Sequence, residues 1–236
     1  IKITLDDGQS DALREIMNIA SGKAVVAMTK LMKEKAKIEI NVEYVSIEDI
    51  IELGSNNLVS SSETVVGIRA QMSKDLNGVI FLLFSWEKLI SFLQEVEMSQ
   101  TKISKVNSTD ELDKNTKSSI EEIGNIIISH FSAGISDFLG IDLYHDVPEL
   151  AIAEYSALID GEIARLSRDS DQAIFMKTLI HGKGHDIESQ ILFIPYQDSI
   201  RKFNSLLNVD QVLTGLEARK KEKSKEGNSF CKPLKS

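Results

Sequence analysis

The sequence predicts an α+β fold in which two pseudo-symmetric α/β halves, from an internal duplication, share a largely antiparallel sheet with one motif helix of each half on a common face. Three observations predict it. A helix, strand-rich runs and a second helix follow one another, and the same order returns in the second half of the 236 residues. Asp11 to Met32 lies over Ser118 to Leu139 at an offset of 107, and Glu63 to Arg69 over Asp171 to Lys177 at 108. At 111, Asp75 lies over Asp186, and Leu89 and Phe92 lie over Ile200 and Phe203, a drift of the kind small loop insertions produce.

Each element has its own signal. Leu13, Ile16, Met17, Ala20, Ala24, Ala27 and Leu31 cluster on one side of a helical wheel, so Ser10 to Met32 reads as a long amphipathic helix. Strand-rich runs follow at Lys37 to Ile47, Glu63 to Met72 and Gly78 to Phe84, then a short helix from Trp86 to Val96. Trp86 and Phe92, at helical spacing, read as core. The polar stretch Met98 to Ser108 reads as a linker. Ser108-Thr109-Asp110-Glu111 has the spacing of a capping box and is expected to open a helix running to Leu139. Strand-like runs recur at Leu150 to Tyr155, Asp171 to Ile180 and Ser189 to Ile194, before a closing helix from Asp198 to Leu207. Residues 1–215 are therefore expected to form a single domain of two repeats, about 5–97 and 109–209, and the basic tail over 216–236 is expected to be disordered.

Composition narrows the function class. With 42% apolar and 27% charged residues the chain is an ordinary globular protein. The longest apolar run, Val79 to Phe84, is far short of the roughly 20 residues that cross a bilayer, so no membrane insertion is expected. Cys231 is the one cysteine and closes no disulfide within the chain, which suits a reducing compartment, and the cytoplasm is the expected location. The sequence opens on Ile1 rather than Met, which leaves room for a removed leader. Net charge is -9; the last 21 residues hold seven basic and three acidic side chains, so the body carries about -13. A body that acidic repels phosphate backbones, and nucleic acid is not an expected partner.

The chemistry points to the motif helices. On the first, Asp11, Glu15, Asn18 and Gly22 fall opposite the core; on the second, Ser118, Glu122, Asn125 and Ser129 occupy the same strip. One exposed Glu and Asn three residues apart is ordinary helix surface. Two copies differ, because the 22 aligned positions share only four identities, and packing accounts for the two isoleucines alone. Other candidates are weaker. His181-Gly182-Lys183-Gly184-His185 lies between two strands without Walker spacing and reads as a hairpin loop. His130 and His145 have no cysteine partner and no repeated spacing, Cys231 has no nucleophile context, and Glu121 and Glu122 point about 100° apart.

The strip Asp or Ser, three residues, Glu, two residues, Asn, on the first helix of each half, resembles the CheC-type phosphatases of bacterial chemotaxis, the superfamily that includes CheX and FliY. Asp11/Glu15/Asn18 fit one copy and Ser118/Glu122/Asn125 the other, and Glu122-Ile123-Gly124-Asn125-Ile126 with Ser136-Asp137-Phe138-Leu139-Gly140 is particularly close. The resemblance runs from about Leu5 to Val209. Pro148 supplies the proline that the family places 22 or 23 positions after the Asn, whereas the first half has Ile40 and Asn41 there; Met17 replaces the glycine, and Ala20, Ser21 and Lys23 depart from the glycine-rich wording.

The resemblance implies hydrolysis of the aspartyl phosphate of the phosphorylated response regulator CheY, with Asn18 and Asn125 orienting water. Glu15 and Glu122 would pair with a cationic side chain of the regulator, and Asp11 and Ser118 would support them. Catalytic Mg²⁺ would belong to CheY, leaving this chain with no cofactor or metal of its own. The receptor-modifying deamidase CheD is an implied second partner. The alternative reading is a binding module of the chemotaxis or flagellar system that docks CheY or CheD without turnover. Two motif helices in one chain favour a monomer.

Overall fold

The computed structural model describes residues 6–31, 39–49, 62–99, 106, 108–166, 171–181 and 186–206. The chain runs α1 (Asp7–Leu31), β1 (Glu39–Asp49), β2 (Thr64–Lys74), β3 (Gly78–Ser85), α2 (Trp86–Glu95), α3 (Lys114–Leu139), β4 (Leu143–His145), β5 (Glu149–Glu154), α4 (Tyr155–Leu166), β6 (Gln172–His181), β7 (Asp186–Pro195) and α5 (Gln197–Leu206). Seven strands form one sheet of order β1-β6-β7-β3-β2, with β4 and β5 both pairing along β2, and every pairing is antiparallel.

Exchanging the halves leaves that order intact, as a duplication would. With β1 matched to β5, β2 to β6 and β3 to β7, the strand sequence reads the same from either edge. The centre lies between β3 and β7, where Phe81 faces Leu192, its own counterpart at an offset of 111. The ladders refine the alignment of the neighbouring strands. Ile68 pairs with Leu82, whose counterpart Phe193 pairs with Ile174. Ile68 therefore corresponds to Ile174 at an offset of 106, not to Met176 at 108. The difference is even, so no side chain changes face.

Alternation along the strands builds two cores. Ile68, Ile80, Leu82, Phe84, Ile191 and Phe193 point to the side covered by α1, α2, α3 and α5, where Trp86, Phe92, Ile123 and Phe203 complete the main cluster. Val79, Phe81, Leu83, Leu192 and Ile194 point the other way, against Tyr155 and Ile159 of α4. The unbroken run Val79 to Phe84 is thus a central strand buried on both faces. On α1, Leu13, Ala20, Ala24 and Met28 are buried, Ala27 and Leu31 half-buried, and the side chains of Ile16 and Met17 lie outside the described set.

Three helices differ from the sequence expectation by more than a residue or two. Helix α1 begins three residues early because Asp6 and Gln9 cap it reciprocally: Gln9 N donates to Asp6 Oδ1 at 2.8 Å and Asp6 N to Gln9 Oε1 at 3.0 Å. Ser108 caps only a 3-10 turn over Thr109–Glu111; α3 has its own cap, Asp113, which accepts from Thr116 N at 3.0 Å. Helix α4, not anticipated, follows β5 with no turn residue to announce it. The hairpin expected around His181 is supported by its flanks, since His181 pairs with Asp186. Most of the linker at 98–108, the loop 182–185 and the basic tail lie outside the described residues.

Candidate functional site

Helices α1 and α3 pack against each other on one face of the sheet, so both motif strips rise from a common layer. Their contact is tight at Gly134, where an added Cβ would stand 2.6 Å from Ala20 Cβ. Beside it Lys23 Nζ meets Asp137 Oδ2 at 2.7 Å. That ion pair is exposed and adds little stability, but it ties the C-terminal half of α3 to the middle of α1.

Asp11, Glu15 and Asn18 on α1 are exposed, as are Ser118 and Glu122 on α3. Asn125 is half-buried rather than fully solvent-facing as its strip position suggested. Neither Glu15 nor Glu122 has an ion-pair partner among the described residues, so both carboxylates are available to an incoming cation. Each strip therefore presents an acceptor-only carboxylate and, one turn on, a neutral amide able to accept and donate.

The seat of the second strip is a glycine. Gly124, between Glu122 and Asn125, is buried on the underside of α3, and a Cβ there would lie 2.4 Å from Ile68 Cδ1 and 2.9 Å from its Cγ2. The structure assigns this glycine to close approach of α3 to β2. At the corresponding position α1 carries Met17. Helix α3 ends on Gly140 in the left-handed region at φ 67°, where its N–H reaches Ser136 O. The next turn is held by Asp75: Asp142 N donates to Asp75 Oδ2 at 2.8 Å, and Lys202 of α5 binds the other oxygen. The Lys202 hydrogen bond, followed by that from the Asp142 backbone, holds the Asp75 carboxyl below its ordinary range. Pro148 stands immediately before β5, an edge strand, where a missing N–H costs no ladder bond; Ile40 and Asn41 instead lie within β1 and pair with Ile180 and Leu179 of β6.

Sequence reasoning passed over one arrangement. Ser129, on the strip one turn beyond Asn125, has its Oγ 2.9 Å from His145 Nε2, and His145 Nδ1 lies 2.8 Å from Asp146 O. The pair is joined through β4, too short to announce itself. Beside it opens a pocket of about 350 Å³ lined by Ser136, Asp137, Asp142 and Tyr144 among others. His130 is occupied within its own helix, Nδ1 donating to Ile126 O at 2.8 Å. Among the described residues no group of three or more His, Cys, Asp or Glu is placed to hold a metal, and no helix is long and apolar enough to cross a membrane.

The chain is similar to known proteins in sequence and in fold. Residues 117–152, spanning the second strip through β5, match the model of the CheC-like family. The CheY-P phosphatase CheC of Bacillus subtilis (strain 168) is 24% identical over 202 residues, covering 84% of this chain and 93% of that protein. Thermotoga maritima FliY superposes with a TM-score of 0.63 at 19% identity, over 86% of this chain and 98% of that one. FliM from an H. pylori FliM–SpeE complex gives 0.60 at 12% identity, over 86% and 96%. At those identities the two structures establish the shared fold.

Proposed function

We propose that this chain, a relative of the CheC-type proteins, hydrolyses the aspartyl phosphate of a phosphorylated CheY-type response regulator and so ends a chemotaxis signal in the cytoplasm. The observation that carries the reading is the paired strip: Glu15/Asn18 and Glu122/Asn125, at matched positions on two helices of one layer, with both carboxylates unpaired among the described residues. An acyl phosphate is already activated, and the Mg²⁺ that polarises it sits on the regulator. What this chain supplies is position. Glu15 or Glu122 pairs with a cation at the rim of the regulator's site and sets the register of the two proteins. Asn18 or Asn125 then enters that site, accepts from a water and donates to a phosphoryl oxygen, holding the water in line with phosphorus. Asp11 and Ser118, one turn earlier, support the glutamates.

A second reading, a regulator-binding adaptor without turnover, draws on the FliM fold neighbours, one of which was crystallised in a FliG–FliM complex. Phosphate release from phosphorylated CheY separates the two. Stimulation lost in Asn18→Ala/Asn125→Ala supports the phosphatase; tight binding with no stimulation by the unsubstituted chain supports the adaptor.

A further inference from the structure

We infer that Ser129 and His145 form a proton relay serving the Asn125 site, a device that the Asn18 site lacks. The inference rests on the phosphatase reading above. Ser129 follows Asn125 by four residues on α3, so the two side chains are neighbours on one face, with Cβ atoms roughly 5–6 Å apart. The relay acts on a water held between these two side chains in the docked complex. Asn125 can hold that water but has no capacity to take its proton.

The hydrogen bonds fix the direction of transfer. A carbonyl oxygen only accepts, so at 2.8 Å from Asp146 O it is His145 Nδ1 that carries the proton. Nε2 of the neutral ring is then an acceptor, and the Ser129 hydroxyl, 2.9 Å away, donates to it. Hydroxyl, imidazole and orienting carbonyl stand in the order found where a base activates a hydroxyl or a water. Ser129 and His145 are half-buried and line the 350 Å³ pocket, so water reaches them. On α1 the residue at the Ser129 position is Gly22, exposed and with open space around it.

In the step itself, the water oxygen bonds to phosphorus as the bond from phosphorus to the aspartyl oxygen breaks, the electron pair leaving with the regulator's carboxylate. One water proton passes to Ser129 Oγ while the Ser129 proton passes to His145 Nε2. The imidazolium then returns its proton through Ser129 to the phosphate released. Ser129 touches the water; His145 acts through it and is a positioning residue. The groups around His145 are Asp137, Asp142 and Tyr144 in the pocket, Asp146 beside it, Met72 opposite it on β2, Lys74 over the Tyr144 ring at 5.4 Å, and Lys23 on Asp137. Among the pocket's lining residues His145 is the one imidazole.

The test is stimulated phosphate release from phosphorylated CheY between pH 5.5 and 7.5 by the full chain carrying Asn18→Ala, which leaves the relay site, or Asn125→Ala, which leaves the other. Their ratio cancels the regulator's own pH dependence. It is expected to rise with pH across that range, the sign expected of a step assisted by a general base. In Asn18→Ala/His145→Gln and Asn18→Ala/Ser129→Ala the rise should vanish; Ser129→Ala leaves β4 untouched should the His145 variant fail to fold. A rise that persists in either variant, or a flat profile for Asn18→Ala while activity still depends on Asn125, overturns the relay alone. Undiminished stimulation by Asn18→Ala/Asn125→Ala overturns the phosphatase reading and the relay with it.

Discussion

Glycine to alanine in a helix interior ordinarily stabilises, by up to about 1 kcal/mol, because alanine restricts the unfolded chain. At Gly124 the structure reverses that sign. The new Cβ would stand 2.4 Å from Ile68 Cδ1 and 2.9 Å from Cγ2, and Ile68 is fully buried in the main core. Overpacking of this kind costs about 1–3 kcal/mol, so a net loss of about 1–2 kcal/mol remains after the helix gain. For a domain of this size that lowers Tm by roughly 2–8 °C. Gly161 on α4 is the control: nothing lies within 4 Å of its Cβ position, and Gly161→Ala should raise Tm. Ile68→Val removes Cδ1, the nearest atom, at its own cost of about 0.5–1.5 kcal/mol. Combined with Gly124→Ala, it should be less destabilising than the two effects added, with a coupling of about 1 kcal/mol. Thermal and urea unfolding of the four-member cycle gives the number. A stabilising Gly124→Ala, or strict additivity with Ile68→Val, would refute the argument that this glycine seats α3 on the sheet.

Three further outcomes are expected. Asn125→Ala should slow stimulated phosphate release more than Asn18→Ala, and the double substitution should lower it by about 10²-fold, the order lost with one positioned donor, at unchanged Tm because neither side chain is in the core; equal or reversed single effects in a phosphate-release assay refute the ranking. Asp75, whose carboxyl is held low chiefly by Lys202, contributes stability above the ordinary carboxylate range that is lost as pH falls through its folded value. Asp75→Asn should therefore unfold more easily than the parent near pH 7 and equally once the solution is acidic enough to protonate Asp75, as followed by Tm against pH. Calorimetric titration of the isolated chain with Mg²⁺ should show no specific heat of binding; a tight site near either strip contradicts the assignment of the metal to the regulator.

The sheet and the motif helices were legible because their signals are periodic and occur twice. A strand buried on both faces, such as β3, announces itself by an unbroken apolar run, and an amphipathic helix by its stripe; each then lends weight to its partner at an offset near 107. What was not legible lies where the repeat is a poor guide. Helix α4 continues β5 without punctuation, and the template of the first half offered nothing for that stretch. The Asp6/Gln9 cap was overlooked because the apolar stripe of α1 starts later than its hydrogen bonding does. Gly124 was visible as a motif residue, but its role was not: the wheel shows which way a side chain points, and only the sheet shows how near Ile68 comes. His145 was set aside for want of spacing, since its partner Ser129 is reached through a turn and a three-residue strand.

The position of the two-fold centre constrains how the two strips can differ. Because Phe81 and Leu192 face each other at that centre, one sheet supports both halves, and a change in the sheet is felt on each side. Differences between the strips must then come from the helices and what abuts them. Helix α3 is drawn onto β2 at Gly124, meets Ala20 of α1 through Gly134, and leads into a turn fastened to Asp75. At the places of Gly124 and Ser129, α1 has Met17 and Gly22. Both strips display the same carboxylate and amide, so their functional groups do not separate them. What separates them is the seat, which fixes where Asn125 points, and Ser129, which puts a hydroxyl bonded to an imidazole one turn away.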